Sequence, residues 1–310
     1  MQTLKKSFLV SLILTCFVAK VNAQILILEK DVLDKIKNSN THIVVSSNNF
    51  PDADKYFDVF KKYWTVTQSV DVITTEELPD KLIAGDTYFS LETKILKSDM
   101  NSAMFFYLNL WTPRDKALKR NKRFSVYDEL SLAHIQISTH GKPHEHLIPQ
   151  FNLDGNGYTN NWNPGTLKNF LQQLTALLRT GKKFLGNDIT DKEQLKLLKG
   201  LTIYCPEDDF NTMNAFGKSD KYTDQEISKL FDGCSFSYKI LSNEELQDKI
   251  LEDKEPFYYL LYLRGLEDGK MIAVVNSRTG QLVYSTTERS FSHNIKSGDI
   301  KDLSKAINKN

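Results

Sequence analysis

The chain reads as an α/β (α+β) protein made of two repeated units, each a βαβα arrangement followed by a β-meander, with mixed sheets and a helical linker between them. Three observations predict this. The sequence nearly repeats itself: Asp54-Lys55-Tyr56 and, further on, Glu76-Glu77-Leu78-Pro79-Asp80-Lys81 return as Asp220-Lys221-Tyr222 and Glu244-Glu245-Leu246-Gln247-Asp248-Lys249 at nearly the same spacing. Such a match implies one folding unit used twice. Runs rich in β-branched and aromatic residues, bounded by turn residues, alternate with segments whose apolar positions recur at helical spacing, the pattern of strands joined by helices. The chain's 310 residues also allow two cores of ordinary size.

The expected boundaries are a leader at 1–23, a first unit at 24–150, a linker with a helix at 151–198 and a second unit at 199–310. Lys5 and Lys6, the apolar run Phe8 to Ala19 and Val21-Asn22-Ala23 form the three parts of a secretory signal. The apolar run ends at Lys20, well short of the roughly 20 residues that span a bilayer. Cys16 lies between Thr15 and Phe17, which fits a lipid-attachment signal poorly. The expectation is an exported protein, periplasmic or extracellular, with no transmembrane segment after cleavage.

In the first unit, Ile43-Val44-Val45-Ser46 reads as a strand. Tyr56, Phe57, Phe60 and Trp64 mark a helix, and Ser69 to Ile73 a second strand. The Glu-Glu-Leu motif should open a further helix, capped by Thr74 or Thr75, because acidic first turns complement the helix dipole. Tyr88 to Leu96 and Met104 to Trp111 read as additional strands. Leu132 to Ser138, the turn Thr139 to Pro143 and His144 to Ile148 read as the meander. Residues 151–165 are rich in Asn and Gly, and Thr166 to Leu178 places Leu167, Phe170, Leu171, Leu174 and Leu178 on one helical face. Leu185 to Thr190 reads as linker and Asp191 to Leu198 as a short helix.

The second unit opens with the strand Leu201 to Tyr204, then a helix bearing Tyr222, Ile227 and Leu230, the strand Ser235 to Leu241, and a helix capped by Ser242 or Asn243. Phe257 to Leu263, Met271 to Asn276 and Gln281 to Ser285, separated by Glu267-Asp268-Gly269-Lys270 and Ser277-Arg278-Thr279-Gly280, make a three-strand meander. This order, with Asp268-Gly269-Lys270, the strand to Asn276 and Arg278-Thr279-Gly280-Gln281-Leu282-Val283, resembles small periplasmic α/β domains. Those domains occur in the TolB amino-terminal region and in curli-secretion and penicillin-binding-protein activator lipoproteins. The resemblance implies assembly, scaffolding or regulation of envelope machinery and carries no catalytic residues with it. The chain departs from those families in its duplication and in its poor lipoprotein signal.

Charge excludes some partners. Lys and Arg number 40 against 39 Asp and Glu, which gives no general pull toward nucleic acid or anionic membrane. The one basic cluster, Lys116, Lys119, Arg120, Lys122 and Arg123, reads as a solvated loop. Two cysteines follow the leader, Cys205 ending one strand and Cys234 beginning another. A parallel pairing separates their sulfurs beyond bonding distance, so both should be free thiols.

Candidate chemistry is sparse. Adjacent glutamates in a helix point about 100° apart, so the repeated Glu pair reads as a helix start and not as an acid/base pair. His140, His144 and His146 are the candidate metal ligands, since imidazoles two apart on a strand share a face. Gly217-Lys218-Ser219 ends like a phosphate loop, but Thr212 stands where the first glycine is needed. Asp154-Gly155-Asn156-Gly157 suggests a calcium loop, but Asn163 stands where its final acid belongs. The commonest hydrolase signatures are absent. These readings give no catalytic residue and no cofactor. They favour a non-catalytic envelope binding or scaffold protein whose partner is a protein or envelope component, with a metal-assisted hydrolase using the histidine cluster as the alternative.

Overall fold

A computed structural model describes residues 24–46, 53–97, 102–118, 128–138, 151, 159, 161–185, 188–213, 219–266, 269–289 and 294–309. The first part contains β1 (Ile25–Ile27), α1 (Val32–Ile36), β2 (Asn40–Val45), α2 (Ala53–Tyr63), β3 (Ser69–Thr74), a 3-10 turn (Leu78–Asp80), β4 (Thr87–Lys97), β5 (Ser102–Pro113), α3 (Asp115–Leu118), β6 (Glu129–Ile137) and α4 (Pro164–Leu178). The second contains β7 (Ile189–Thr190), α5 (Lys192–Leu197), β8 (Thr202–Pro206), β9 (Asn211–Met213), β10 (Ser219–Lys221), α6 (Asp224–Leu230), β11 (Ser237–Leu241), α7 (Asn243–Glu252), β12 (Tyr258–Leu266), β13 (Gly269–Asn276), β14 (Leu282–Arg289) and α8 (Ser297–Lys309).

The duplication is topological. The first sheet runs β1-β6-β5-β4-β2-β3 and the second β7-β14-β13-β12-β8-β11. Strand for strand, the senses agree. β2 is parallel to β3 and β4, as β8 is to β11 and β12. The meanders β4-β5-β6 and β12-β13-β14 are antiparallel, as are the edge pairs β1·β6 and β7·β14. The chain is thus an α/β protein with two mixed six-stranded sheets.

Several local expectations change. Asp54-Lys55-Tyr56 lies in α2, but Asp220-Lys221 lies in β10, paired to β9, and α6 starts only at Asp224. There Thr223 caps the helix in a reciprocal box with Glu226, so the two Asp-Lys-Tyr triplets are not structural equivalents. The Glu-Glu-Leu motif opens a ten-residue helix only in the second unit. In the first, Thr74 accepts from the Glu77 N–H at 3.3 Å and the Glu77 carboxylate accepts from the Thr74 N–H at 2.9 Å. Only the 3-10 turn follows, with Pro79 in its first turn. The strands at Tyr88 and Met104 are not additions, because with Leu132 to Ile137 they form the first meander.

Segment 151–198 does more than connect. Helix α4 has a capping box, Asn163 with Thr166, and Pro164 at its first turn. It packs against both α2 and α7. One apolar core therefore joins Phe89, Leu108 and Ile135 of the first sheet, Leu167, Phe170 and Leu171 of α4, and Tyr259, Leu261 and Val275 of the second sheet. The approach is close: a Cβ on Gly165 would lie 2.9 Å from the Gln247 carbonyl oxygen. Gly280, at φ +70°, turns β13 into β14 so near α4 that a Cβ there would lie 2.3 Å from the Asn169 oxygen. Residues Ile189–Thr190 pair with β14. Leu195 and Leu198 enter a second core with Ile203, Leu260, Leu230, Ile300 and Leu303 on the far side of the second sheet. Cys205 and Cys234 are free thiols, and burial pushes the Cys205 thiol well above its usual range.

Candidate binding face

Successive strand residues point to opposite faces, so each sheet has a face toward its crossover helix and a face away from it. Phe89 meets α2, with its ring 5.1 Å from Phe60. Its neighbour Tyr88 therefore points away. In the second sheet, Leu230 of α6 shares a core with Ile203 and Leu260, leaving Tyr204 and Tyr259 on the opposite face. That opposite face is filled by α4 and α7: Tyr259 is 1 % exposed and its hydroxyl lies 3.0 Å from the Asn169 Oδ1.

The corresponding face of the first sheet carries different material. Among the described residues, its apolar cover is Leu78 and Leu82, packed on Val44, Ile73, Tyr88 and Trp111. One register row crosses five strands as Asp71, His42, Tyr88, Trp111 and Ser131. His42 and Tyr88 stack at 4.9 Å, and Tyr88 and Trp111 at 4.5 Å. The His42 Nε2 lies 3.0 Å from Asp86 Oδ2 and its Nδ1 2.5 Å from Asp71 Oδ1. Tyr88 donates to the Lys81 carbonyl at 2.8 Å and accepts the Ile83 N–H at 2.9 Å. Burial, with the nearby Asp86 and Asp71 charges, raises its hydroxyl to about 12. This end of the face is therefore a locked, neutral-tyrosine framework that holds the 3-10 segment down.

The other end is half-open. Trp111 Nε1 donates to Ser90 Oγ at 2.9 Å, and Ser90 Oγ donates to Glu92 Oε1 at 2.8 Å. Asn109 Nδ2 donates to Glu92 Oε1 at 2.5 Å, with Ser131 Oγ at 3.2 Å and Glu129 Oε2 at 3.4 Å. Asn109 is fully buried, while Ser90, Glu92, Glu129 and Ser131 are partly exposed. Burial pushes the Glu129 carboxyl up to about 9, helped by the charge of Glu92 and a hydrogen bond to it. At neutral pH the Glu129 carboxyl therefore keeps its proton. No ion pair reaches Glu92 or Glu129 among the described residues, and Asn109 Oδ1 has no hydrogen-bond partner. The network can present carboxyl, amide and hydroxyl oxygens to a ligand; it has no activated nucleophile.

The residues singled out by sequence fall elsewhere. His140, His144 and His146 lie outside the described residues, as do Gly217, Lys218, Asp154 to Gly157 and most of the basic cluster, whose Lys116 is exposed on α3. No group of three or more His, Cys, Asp or Glu side chains that could hold a metal ion is found among the described residues. Glu77 and Glu245 are capping residues, and Thr74 and Lys81 hold Glu77 below the usual carboxylate range. The signal missed was strand alternation. Tyr88, Ser90 and Glu92 alternate with Phe89 and Leu91, and Asn109 interrupts Leu108 and Leu110. Elsewhere, clefts of about 350 and 330 Å³ flank Lys62 and Tyr63 beside α4. The first is lined by the cations Lys62 and Arg179 among neutral side chains, and the second mixes Lys55 and Lys62 with Asp58 and Asp248. No family model, curated protein or solved structure matches the chain.

Proposed function

We propose that the chain is an exported, non-catalytic binding or scaffold protein of the cell envelope, which recognises a protein or envelope component with the outer face of its first sheet. The observation that carries this reading is the half-exposed Glu92–Asn109–Glu129 network on a face that, in the second sheet, is filled by helices. A carboxyl pair brought together without a countercharge weakens a fold, and the second sheet shows that the same topology closes without one. Groups held at such a cost are characteristic of sites that meet a ligand. Export rests on the leader at 1–23, and no described helix is long and apolar enough to cross a membrane. The resemblance of the second unit to envelope assembly domains supports the same role.

The test is cross-linked capture from the envelope fraction of the native host, comparing wild type with the charge-reversed pair Glu92→Lys, Glu129→Lys and with a Lys301→Glu control on the exposed side of α8. The expected result is one set of partners recovered by wild type and control and lost with the charge-reversed pair. Equal recovery by all three contradicts the reading.

A further inference from the structure

The larger cleft beside α4 is walled by both halves of the chain. Lys62 and Tyr63 come from the last turn of α2, Gln172 and Thr175 from α4, Arg179 from the cap of α4, and Thr279 from the turn between β13 and β14. That turn is fastened to the helix: Gln172 Nε2 donates to the Arg278 carbonyl at 2.9 Å, and Asn169 Nδ2 to the Ser277 carbonyl at 2.8 Å. The space enclosed is about 350 Å³, and its charge is of one sign. Among the described residues no carboxylate lies within ion-pair distance of Lys62 or Arg179, and Asp58 and Asp248 line only the second cleft. Lys168, buried beside Tyr63, adds a third cation: its Nζ lies 5.5 Å from the Tyr63 ring centroid, and Lys62 Nζ lies 5.3 Å from the same centroid. Burial, and then the charge of Lys62, pulls the Lys168 ammonium below its usual range. Helix dipoles favour cations at helix ends, but the last carbonyls of α4 have other partners. Those of Thr175, Leu177 and Leu178 accept the N–H groups of Arg179, Thr180 and Gly181.

We propose that this cleft binds a phosphate monoester, with Lys62 and Arg179 holding the phosphate and the hydroxyls of Thr175 and Thr279 donating to it. The chemistry selects the group. Two unpaired cations match the charge of about −1.5 to −2 that a phosphate monoester carries at neutral pH, and its three terminal oxygens suit two cations and two hydroxyls. A guanidinium can grip two of those oxygens at once. The hydroxyls are free for the task. Thr175 Oγ1 is buried and has no hydrogen-bond partner, an arrangement that destabilises the ligand-free chain. Thr279 Oγ1 accepts the Gln281 N–H at 3.3 Å, which leaves its own proton to donate. The volume falls within the roughly 300–1,000 Å³ of small-molecule sites, and the half-buried Tyr63 ring offers a flat wall to the body that carries the phosphate.

The site lies on the α2 side of the first sheet and is independent of that sheet's outer face. Leader-free protein is titrated calorimetrically with glycerol 3-phosphate and, separately, with inorganic phosphate. Lys62→Gln, Arg179→Gln, Thr175→Val and the control Lys301→Gln on α8 are titrated alongside. Lys62, Arg179 and Lys301 are exposed, and valine has the shape of threonine, so all four variants should melt as wild type does. The expected result is one saturable site per chain for glycerol 3-phosphate in wild type and Lys301→Gln, from which inorganic phosphate displaces the ester. Affinity should fall about tenfold or more in Lys62→Gln and Arg179→Gln, and about threefold or more in Thr175→Val. Sedimentation with phosphatidylcholine vesicles containing phosphatidic acid separates two sources of the ester. Pelleting that depends on Lys62 and Arg179 places it on a lipid headgroup, and saturable binding without pelleting places it on a soluble molecule. Saturable binding to neither phosphate probe, or equal affinity in all five proteins, overturns the proposal.

Discussion

The two sheets share strand order and strand sense, yet they treat the same face in opposite ways. The second sheet fills it with α4 and α7 and pairs its buried lysine elsewhere: Lys270, 1 % exposed, is met by Asp299 at 2.5 Å and Glu288 at 3.1 Å. The first sheet leaves on that face two carboxyls that no ion pair compensates among the described residues. The difference separates what the topology requires from what it merely permits. Closure of the fold needs an apolar face toward the shared helix layer, and both sheets provide one. The polar network of the first sheet contributes nothing to that closure, which is why function is assigned to it.

The comparison breaks most severely if α4 is not shared. Phe170→Ala empties a site where both sheets meet, and a loss of about 3–5 kcal/mol is expected. Urea unfolding followed by fluorescence and by circular dichroism should show one shifted transition; two separated transitions would mean that the halves fold independently. Gly280→Ala should rank next, at about 2–3 kcal/mol, because it combines a positive φ with a clash against the Asn169 backbone. The same unfolding assay reads it.

The two acidic motifs offer a finer comparison. Ser242→Ala removes a cap from a ten-residue helix and should cost about 1 kcal/mol. Thr74→Ala removes the same reciprocal bond from a 3-10 turn and should cost less, since fewer orphan N–H groups depend on it. Equal losses would show that the 3-10 segment is as cooperative as α7.

The comparison also carries a pH dependence. A glutamate in the unfolded chain loses its proton near 4.5, whereas folded Glu129 retains it up to about 9. Between these values the native state holds a proton that the unfolded chain has released, so this group's contribution to stability falls as pH rises. Glu129→Gln should therefore flatten the stability profile across that window. An unchanged slope would mean that folded Glu129 does not retain its proton across that window.

Much of the fold was legible along the sequence, and the site was not. The helix at Thr166 to Leu178 and the glutamate caps follow from local spacing and local hydrogen bonds, and both are present. The Asp-Lys-Tyr triplet misled because three residues are read identically in a helix and in a short hairpin; Thr223, the true cap, decides where α6 begins. Glu92, Asn109 and Glu129 are brought together only by the order β4-β5-β6. That order became visible only once the strands at Tyr88 and Met104 were known to belong to the meander. A pattern of period two shows that a residue faces outward, not which residue on another strand it meets.

The central claim is that the first sheet meets a partner with the face turned away from α2. The direct measurement is site-specific photocross-linking in the native envelope, with the probe placed at Asp71, exposed on the same register row as His42 and Trp111, and separately at Lys301 on α8. A defined cross-linked species from position 71 and none from position 301 is the expected result. The reverse pattern, or the same species from both positions, contradicts the claim.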